Sequence, residues 1–170
     1  MNVKVIDNFL PPYSFRQIQS VMMGDEFPWY LNDGILYKGD PNYQLTHALY
    51  DKSGLIGCPT FRQNSHHMVL FDYCLKNLGV KELLRIKANL NPSQTYHQRG
   101  GYHIDYSDVT TAVYYVNTNN GWTHIKGYGK VKCVENRMVI FDSNLQHEGV
   151  TCTKGKVKIV VNFNYIDNMG

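Results

Sequence analysis

The stretch that decides the fold is Lys156-Val157-Lys158-Ile159-Val160-Val161-Asn162-Phe163-Asn164-Tyr165. Successive side chains of an extended chain point to opposite faces of a sheet, so the stretch has two distinct sides. One side is entirely apolar: Val157, Ile159, Val161, Phe163 and Tyr165. The other side is mainly polar: Lys156, Lys158, Val160, Asn162 and Asn164. This alternation predicts a β-strand that packs one face on a core and turns the other toward a cavity or toward solvent.

Shorter runs upstream of this strand have the same β-type composition, rich in Val, Ile, Tyr and Thr. They span residues 83–90, 109–116, 122–125, 130–134 and 138–141. Turn-forming residues separate them: Asn119-Asn120-Gly121, Gly127, Gly129, Glu135-Asn136 and Asp142-Ser143-Asn144. Short strands divided by frequent turns are typical of a sandwich or barrel of antiparallel strands. The 13% share of aromatic residues also favours a β-rich domain.

The first part of the chain has a different pattern. A short strand is predicted over Val3–Ile6, before Pro11-Pro12. Four apolar residues then fall at helical spacing: Phe15, Ile18, Val21 and Met22. This spacing predicts an amphipathic helix that ends near Gly24. A second helix is predicted from about residue 61 to residue 78, with Gly79 as its C-terminal stop.

Length and composition indicate one compact domain. With 170 residues, 43% of them hydrophobic, the chain can form one core but hardly two. We therefore interpret residues 1–170 as a single domain, in which residues 1–79 form a helical support for a β-rich core over residues 80–166. The formal charge of +3, with 18% charged residues, is a mild basic excess, far from the dense Lys/Arg surface of an obligate nucleic-acid binder, and it leaves a nucleic-acid partner open.

The spacing of the cysteines and the length of the apolar runs indicate the compartment in which the protein acts. Cys58, Cys74, Cys133 and Cys152 are far apart and form no C-x-x-C pair. This spacing indicates neither a zinc knuckle nor a redox motif, and a reducing cytosol is the simplest setting. No apolar run has the length of a signal peptide or of a membrane span. We expect a soluble, unexported, cytoplasmic protein without a membrane partner.

His103-Ile104-Asp105 is the first candidate metal motif. The side chains of His103 and Asp105 lie on the same face of an extended strand, because the two residues are two positions apart. His147 follows the predicted strand 138–141 through a turn and can supply a third ligand. Two imidazoles and one carboxylate occupy one face of an Fe(II) octahedron and leave three sites open for a chelating co-substrate and O2. In a chain with seven histidines, an H-x-D also arises by chance, and a surface or core histidine is then the alternative.

The lysines of the last predicted strand form a second candidate feature. If their face lines a cavity, Lys156 and Lys158 need an anion there, because a buried unpaired ammonium costs free energy. If the strand is half exposed, both lysines are solvated, and the pattern alone leaves both readings open. Tyr114 and Tyr115 point to opposite faces of their strand, so one packs in a core and the other can offer its hydroxyl to a ligand.

In order and spacing, these segments resemble the 2-oxoglutarate/Fe(II) dioxygenase superfamily, and especially its prolyl 4-hydroxylase-like branch with small bacterial and phage members. The matching segments are Gly101–Asp105, Val113–Asn117, Asn120–Thr123, Asn136–Phe141, His147–Gly149 and Lys158–Tyr165. The resemblance covers about residues 80 to 166, and more weakly the opening Val5-Ile6-Asp7-Asn8-Phe9-Leu10. A set of ordered motifs is far more specific than H-x-D alone.

The resemblance implies a double-stranded β-helix, the cupin-like jelly roll of antiparallel strands, supported by N-terminal helices. It implies three Fe(II) ligands, His103, Asp105 and His147. Tyr115 matches a tyrosine whose hydroxyl contacts 2-oxoglutarate, and Asn91 matches, more weakly, another co-substrate contact.

The residue that binds the distal carboxylate of 2-oxoglutarate is usually an arginine in this family. Here Lys158 matches it best, with Lys156 as the second choice. A lysine replaces the bidentate fork of arginine by a point charge.

The implied function is hydroxylation of a C–H bond with Fe(II), 2-oxoglutarate and O2, with release of succinate and CO2 and with ascorbate as an optional reductant. The branch favours a peptidyl-proline substrate, while a nucleobase or a small metabolite stays open, as does the oligomeric state. The resemblance to small bacterial and phage members is also compatible with a phage-encoded protein that acts in a host cytoplasm. A non-catalytic jelly-roll binding module and a zinc hydrolase with the same three ligands are the rival classes.

Overall fold

The computed structural model describes residues 2–32, 34, 43–52 and 65–167. Two α-helices lie in this part of the chain, α1 (Pro12–Met23) and α2 (Asp72–Leu78). Its strands are β1 (Val3–Ile6), β2 (Tyr30–Asn32), β3 (Gln44–Asp51), β4 (Val80–Pro92), β5 (Thr110–Tyr115), β6 (Trp122–Ile125), β7 (Gly129–Lys132), β8 (Arg137–Asp142), β9 (His147–Val150) and β10 (Val157–Asp167).

The strands form two antiparallel sheets. The large sheet has the order β1-β8-β5-β10-β4-β3-β2, and the small sheet has the order β7-β6-β9. Isolated bridges from Arg99 to Val150 and from His103 to His147 attach the segment after β4 to the edge of the small sheet. The predicted jelly roll of antiparallel strands is confirmed.

The two faces of the large sheet serve different purposes, as the alternation in the last strand predicts. On one face, Ile159, Val161 and Phe163 of β10 are buried in the main core together with residues of α1 and α2. On the other face, Val160 belongs to a smaller apolar cluster with Ile125 and Val131 of the small sheet. The polar residues of β10 therefore lie between the sheets.

The helix predictions are confirmed in part. Helix α1 buries Phe15, Ile18 and Met22 and is followed by Gly24, as the spacing indicates. The second predicted helix is shorter: residues 66–71 form a 3-10 turn and α2 begins only at Asp72. Gly79 ends α2 with a left-handed φ of 65°, which a glycine adopts without steric cost. Residues 61–64 lie outside the described residues.

The N-terminal region, predicted as a helical support, also contributes strands β2 and β3 to the large sheet. Strand β3 has no simple apolar alternation, because three polar residues are buried in it: Gln44, His47 and Asp51. Its pairing with β4 also contains a register shift between Ala48 and Tyr50, which breaks the period of two.

Cys74, Cys133 and Cys152 are buried free thiols. Among the residues that the structure describes, no helix combines the length and the apolar character needed to cross a membrane.

Candidate active site

The H-x-D segment and strand β9 bring the three predicted ligands together. The backbones of His103 and His147 exchange two N–H to O hydrogen bonds of 3.0 Å, which fixes the two residues opposite each other. The imidazole rings lie 4.7 Å apart between centroids. One ligand atom from each of His103, Asp105 and His147 lies within 4.8 Å of the other two. The three side chains therefore converge on one point between the sheets.

Backbone carbonyls orient both imidazoles for metal binding. His103 Nδ1 lies 3.0 Å from the Gly101 carbonyl, and His147 Nδ1 lies 3.3 Å from the Leu145 carbonyl. Because a carbonyl only accepts, each Nδ1 carries the proton and each Nε2 keeps its lone pair. The two Nε2 atoms lie 3.8 Å from different oxygens of Asp105. Burial lowers the pKa of His147, which favours the neutral ring that a metal requires.

Asp105 is held by a residue that the sequence did not single out. The Arg85 guanidinium on β4 forms an ion pair with Asp105 Oδ1 at 2.8 Å, and both side chains are largely buried. Burial raises the pKa of the Asp105 carboxyl, but Arg85 outweighs that effect and holds the pKa below its usual value. Asp105 is therefore an anion at neutral pH, with one oxygen engaged by Arg85.

The remaining atoms of the cluster fit a divalent metal ion. Asp105 Oδ2 and His147 Nε2 are buried and have no hydrogen-bond partner among the described residues. A buried polar atom without a partner costs free energy, and a cation at their meeting point would satisfy both atoms. Two imidazole nitrogens and one carboxylate oxygen form the donor set of non-haem Fe(II) oxygenases.

A cavity of about 340 Å³ opens between the sheets at this cluster. Its floor is the inward face of β4 and β10, and it includes all three candidate ligands. The inward residues of β4 are all polar or charged: Arg85, Lys87, Asn89 and Asn91. Those of β10 that line the cavity are Lys158, Val160 and Asn162. This volume is at the small end of ligand-binding pockets.

Lys158 is the most deeply buried cation among the described residues of this cavity, at 2% exposure. Its ammonium donates to the carbonyls of Trp122 at 2.7 Å and Val150 at 3.0 Å, and no acid of the described residues pairs with it. A side chain on Gly149 would lie 3.7 Å from the ammonium. Burial lowers the pKa of Lys158. The charged form of Lys158 thus has no negatively charged partner in the described chain.

Lys156, the second choice for the same role, is exposed and does not line the cavity. Strand β10 begins only at Val157, and the residues before it form bends, so the alternation of the strand does not extend to Lys156.

Asn91 and Tyr115 take different positions. Asn91 lines the cavity and is the cross-strand neighbour of Lys158. Tyr115 is fully buried behind the cavity wall, and its hydroxyl has no hydrogen-bond partner in the described part of the chain. Thr123, which lines the cavity, is close enough to influence the Tyr115 pKa, which burial raises strongly. The roles of both residues toward a co-substrate stay predictions.

Arg85 and Lys87 were not predicted as site residues, because the strand over residues 83–90 was predicted from its apolar residues alone. The same alternation that marks the last strand is present there, with charged or polar residues at 85, 87, 89 and 91. A period-two polar face on a second strand was the available signal.

No protein-family model and no curated protein matches the sequence. Solved structures do match over nearly the whole chain. A Pseudomonas putida prolyl-4-hydroxylase has a TM-score of 0.64 at 14% identity, and the match covers 96% of this chain and 92% of the hydroxylase. An oxidoreductase of the 2OG-Fe(II) oxygenase family from Burkholderia pseudomallei has a TM-score of 0.68 at 13% identity, with coverages of 96% and 84%.

A viral collagen prolyl hydroxylase from Paramecium bursaria Chlorella virus-1, solved with 2OG, is also similar, with a TM-score of 0.58 at 14% identity. The match covers 96% of this chain and 94% of the viral enzyme. At these identities, the comparisons establish the architecture. The chain therefore has the jelly-roll fold of the 2-oxoglutarate/Fe(II) oxygenases, prolyl 4-hydroxylases among them.

Proposed function

We propose that the protein is a 2-oxoglutarate-dependent Fe(II) dioxygenase that hydroxylates a C–H bond. The observation that carries the proposal is the combination of two features in one cavity. His103, Asp105 and His147 converge on one point with unsatisfied donor atoms, and Lys158 presents a buried ammonium without an acid partner. The first feature fits a divalent metal, and the second fits the distal carboxylate of 2-oxoglutarate.

His103, Asp105 and His147 would hold Fe(II), which with 2-oxoglutarate and O2 supplies the oxidising chemistry, succinate and CO2 being products. Lys158 binds the C5 carboxylate by a charge-assisted hydrogen bond, and Asn91 across the strand pair orients it. Tyr115, whose buried hydroxyl has no hydrogen-bond partner in the described chain, is the family-based candidate for a further co-substrate contact. Ascorbate serves as an optional reductant.

The chain's own contribution is orientation and shielding. The carbonyls of Gly101 and Leu145 fix the tautomer of the two histidines, so that both Nε2 lone pairs face the metal position. The two carbonyls that hold Lys158 fix its ammonium before any ligand binds, which reduces the entropy lost on binding. The side chains of Asp105 and His147 are 11% and 4% exposed, which limits the access of water to these two ligands.

The substrate is a peptide or a small molecule, with a peptidyl-proline as the family-based hypothesis. The prolyl hydroxylases among the similar structures support it, including one from Trichoplax adhaerens in complex with a hypoxia inducible factor peptide fragment, at 17% identity and a TM-score of 0.56. Buried free thiols in the described chain are in keeping with a reducing cytoplasm.

Succinate formation tests the proposal. Protein with Fe(II), 2-oxoglutarate and ascorbate in air is offered proline peptides, free amino acids and nucleotides, and succinate is quantified by mass spectrometry. We expect Fe(II)-dependent succinate, increased by the true substrate and lost in Asp105→Ala. Absence of succinate with every substrate, or equal succinate from Asp105→Ala, would contradict the proposal.

A further inference from the structure

The cavity is also lined by Lys87, a cation that the proposed function does not use. Lys87 lies on the inward face of β4, and its cross-strand neighbour on β10 is Asn162. Both residues line the same cavity as the three candidate ligands. They are therefore placed to contact a molecule bound beside the metal position.

Neither side chain is satisfied within the described chain. The Lys87 ammonium makes no hydrogen bond or ion pair there, and Asn162 Oδ1 is buried without a hydrogen-bond partner. Among the described residues, Asp105 is the one acid that lines the cavity, and Arg85 already engages it at 2.8 Å. Burial lowers the pKa of Lys87, Arg85 lowers it further, and Asp105 partly offsets both. This end of the cavity thus has more positive charge than its own acid can neutralise.

The co-substrate does not account for Lys87. Lys158 and Asn162 are four residues apart on one strand, which is roughly 13 Å at about 3.3 Å per residue. The carbonyls of Trp122 and Val150 hold the Lys158 ammonium on the side of the small sheet. A 2-oxoglutarate anchored at Lys158 has its two charged ends already assigned, one to Lys158 and one to the metal. The Lys87 ammonium then faces whatever else enters the cavity.

We propose that Lys87 and Asn162 form the binding subsite for a carboxylate of the primary substrate. The inference rests on the proposed function and narrows its substrate class to a small carboxylic acid, such as a free or N-acylated amino acid. The Lys87 ammonium supplies the charge that pairs with the carboxylate, and the unpartnered Asn162 Oδ1 accepts a hydrogen bond from an N–H of the substrate, such as the amide of an N-acylated amino acid. An internal proline of a peptide, whose carbonyl is neutral, would leave the lysine charge uncompensated.

Matched acids and amides test this subsite. The probes are N-acetyl amino acids and their primary amides, titrated anaerobically into protein loaded with Fe(II) and 2-oxoglutarate. The readouts are calorimetric heat and the shift of the visible band of the Fe(II)–2-oxoglutarate chelate. We expect at least one acid to bind about tenfold or more tightly than its amide, as a charged hydrogen bond requires.

The variants assign that preference to Lys87. Lys87→Met should abolish the preference for the acid, Lys87→Arg should retain it, and the exposed Lys156→Met should leave it unchanged. Asn162→Asp should also abolish it, because the new carboxylate pairs with Lys87 internally. In Lys87→Met the concentration of 2-oxoglutarate needed for half-maximal chelate should stay at the wild-type value.

Two outcomes would overturn the inference. One is that no acid of the series binds better than its amide. The other is that Lys87→Met raises the 2-oxoglutarate requirement as much as Lys158→Met does, which would assign Lys87 to the co-substrate. Failure of the proposed function itself gives a different result, namely no chelate in either wild type or Lys87→Met. Calorimetry of metal-free protein would then still measure the acid–amide difference at Lys87.

Discussion

Two buried cations on neighbouring strands line the same cavity, and they differ in what balances their charge. Arg85 on β4 pairs with the carboxylate of Asp105 at 2.8 Å. Lys158 on β10 donates to two neutral carbonyls, at 2.7 and 3.0 Å. Carbonyl dipoles solvate an ammonium but do not neutralise it, so the charged form of Lys158 has no acid partner in the described chain.

The difference separates two roles for a buried positive charge. A cation with an internal acid partner fixes the position and the ionisation of that acid, here a candidate metal ligand. A cation with only neutral partners bears a desolvation cost that an anionic ligand relieves on binding. We therefore propose that Arg85 acts on metal binding and that Lys158 acts on co-substrate binding.

Replacing Lys158 should have the largest effect. Lys158→Met removes a charge-assisted hydrogen bond in a water-poor site, so we expect the 2-oxoglutarate requirement to rise by about 100-fold. Anaerobic titration of the chelate band measures it. Lys156→Met, a matched change at an exposed lysine, should shift the requirement less than about twofold. Equal effects of the two variants would place the carboxylate site elsewhere.

Replacing Arg85 should weaken the binding of the metal and leave the binding of the co-substrate nearly unchanged. Arg85→Met frees Asp105 Oδ1 and loosens the carboxylate, and such outer partners typically change metal affinity by about 10- to 100-fold. Competition with a metal-sensitive dye measures Fe(II) affinity, while 2-oxoglutarate binding at saturating Fe(II) should be nearly unchanged. Wild-type metal affinity in Arg85→Met would show that the ion pair does not position the ligand.

The pH dependence of 2-oxoglutarate binding should reveal the uncompensated lysine. Burial lowers the pKa of Lys158, and the neighbouring Cys133 and Cys152 act more weakly in the opposite direction. A bound carboxylate favours the charged lysine, so binding takes up a proton wherever the free protein holds Lys158 neutral. The dissociation constant should therefore be flat below the lowered pKa and rise by up to about tenfold per pH unit above it.

Lys158→Met is the control for this profile, because both proteins share every other titrating group of the site. Its dissociation constant should lack the alkaline rise. A rise of the same size in the variant would assign the pH dependence to a different group.

The smallest effect is expected at Tyr115. Tyr115→Phe removes one neutral hydroxyl, so the 2-oxoglutarate requirement should increase by about two- to tenfold. The hydroxyl has no partner in the described chain, so the melting temperature without 2-oxoglutarate should not fall. Thermal melting with and without 2-oxoglutarate separates the two effects. An unchanged requirement would exclude the hydroxyl as a contact.

The sequence predicted what depends on local alternation and on ordered motifs. The apolar face of the last strand correctly predicted the side packed on the core, whereas the polar face left open whether its lysines are buried or solvated, and the structure buries Lys158. The bend before Val157, which carries Lys156 to the surface, has no signature in an alternating sequence.

What escaped prediction depends on contacts between distant residues. The ion pair of Arg85 with Asp105 joins two residues that are twenty positions apart and meet only once the sheet has formed. Strand β9, His147-Glu148-Gly149-Val150, has too few apolar residues to show a strand pattern. Its pairing with β6 and with His103 is tertiary information.

In the proposed site, His103, Asp105 and His147 bind Fe(II) beside an anion site at Lys158. Anaerobic titration of 2-oxoglutarate into Fe(II)-loaded protein, followed by the weak visible charge-transfer band of the chelate, tests it most directly. We expect a saturable band in the wild type that is lost in His103→Ala and needs far more 2-oxoglutarate in Lys158→Met. No band in the intact protein, or a band that survives His103→Ala, would contradict it.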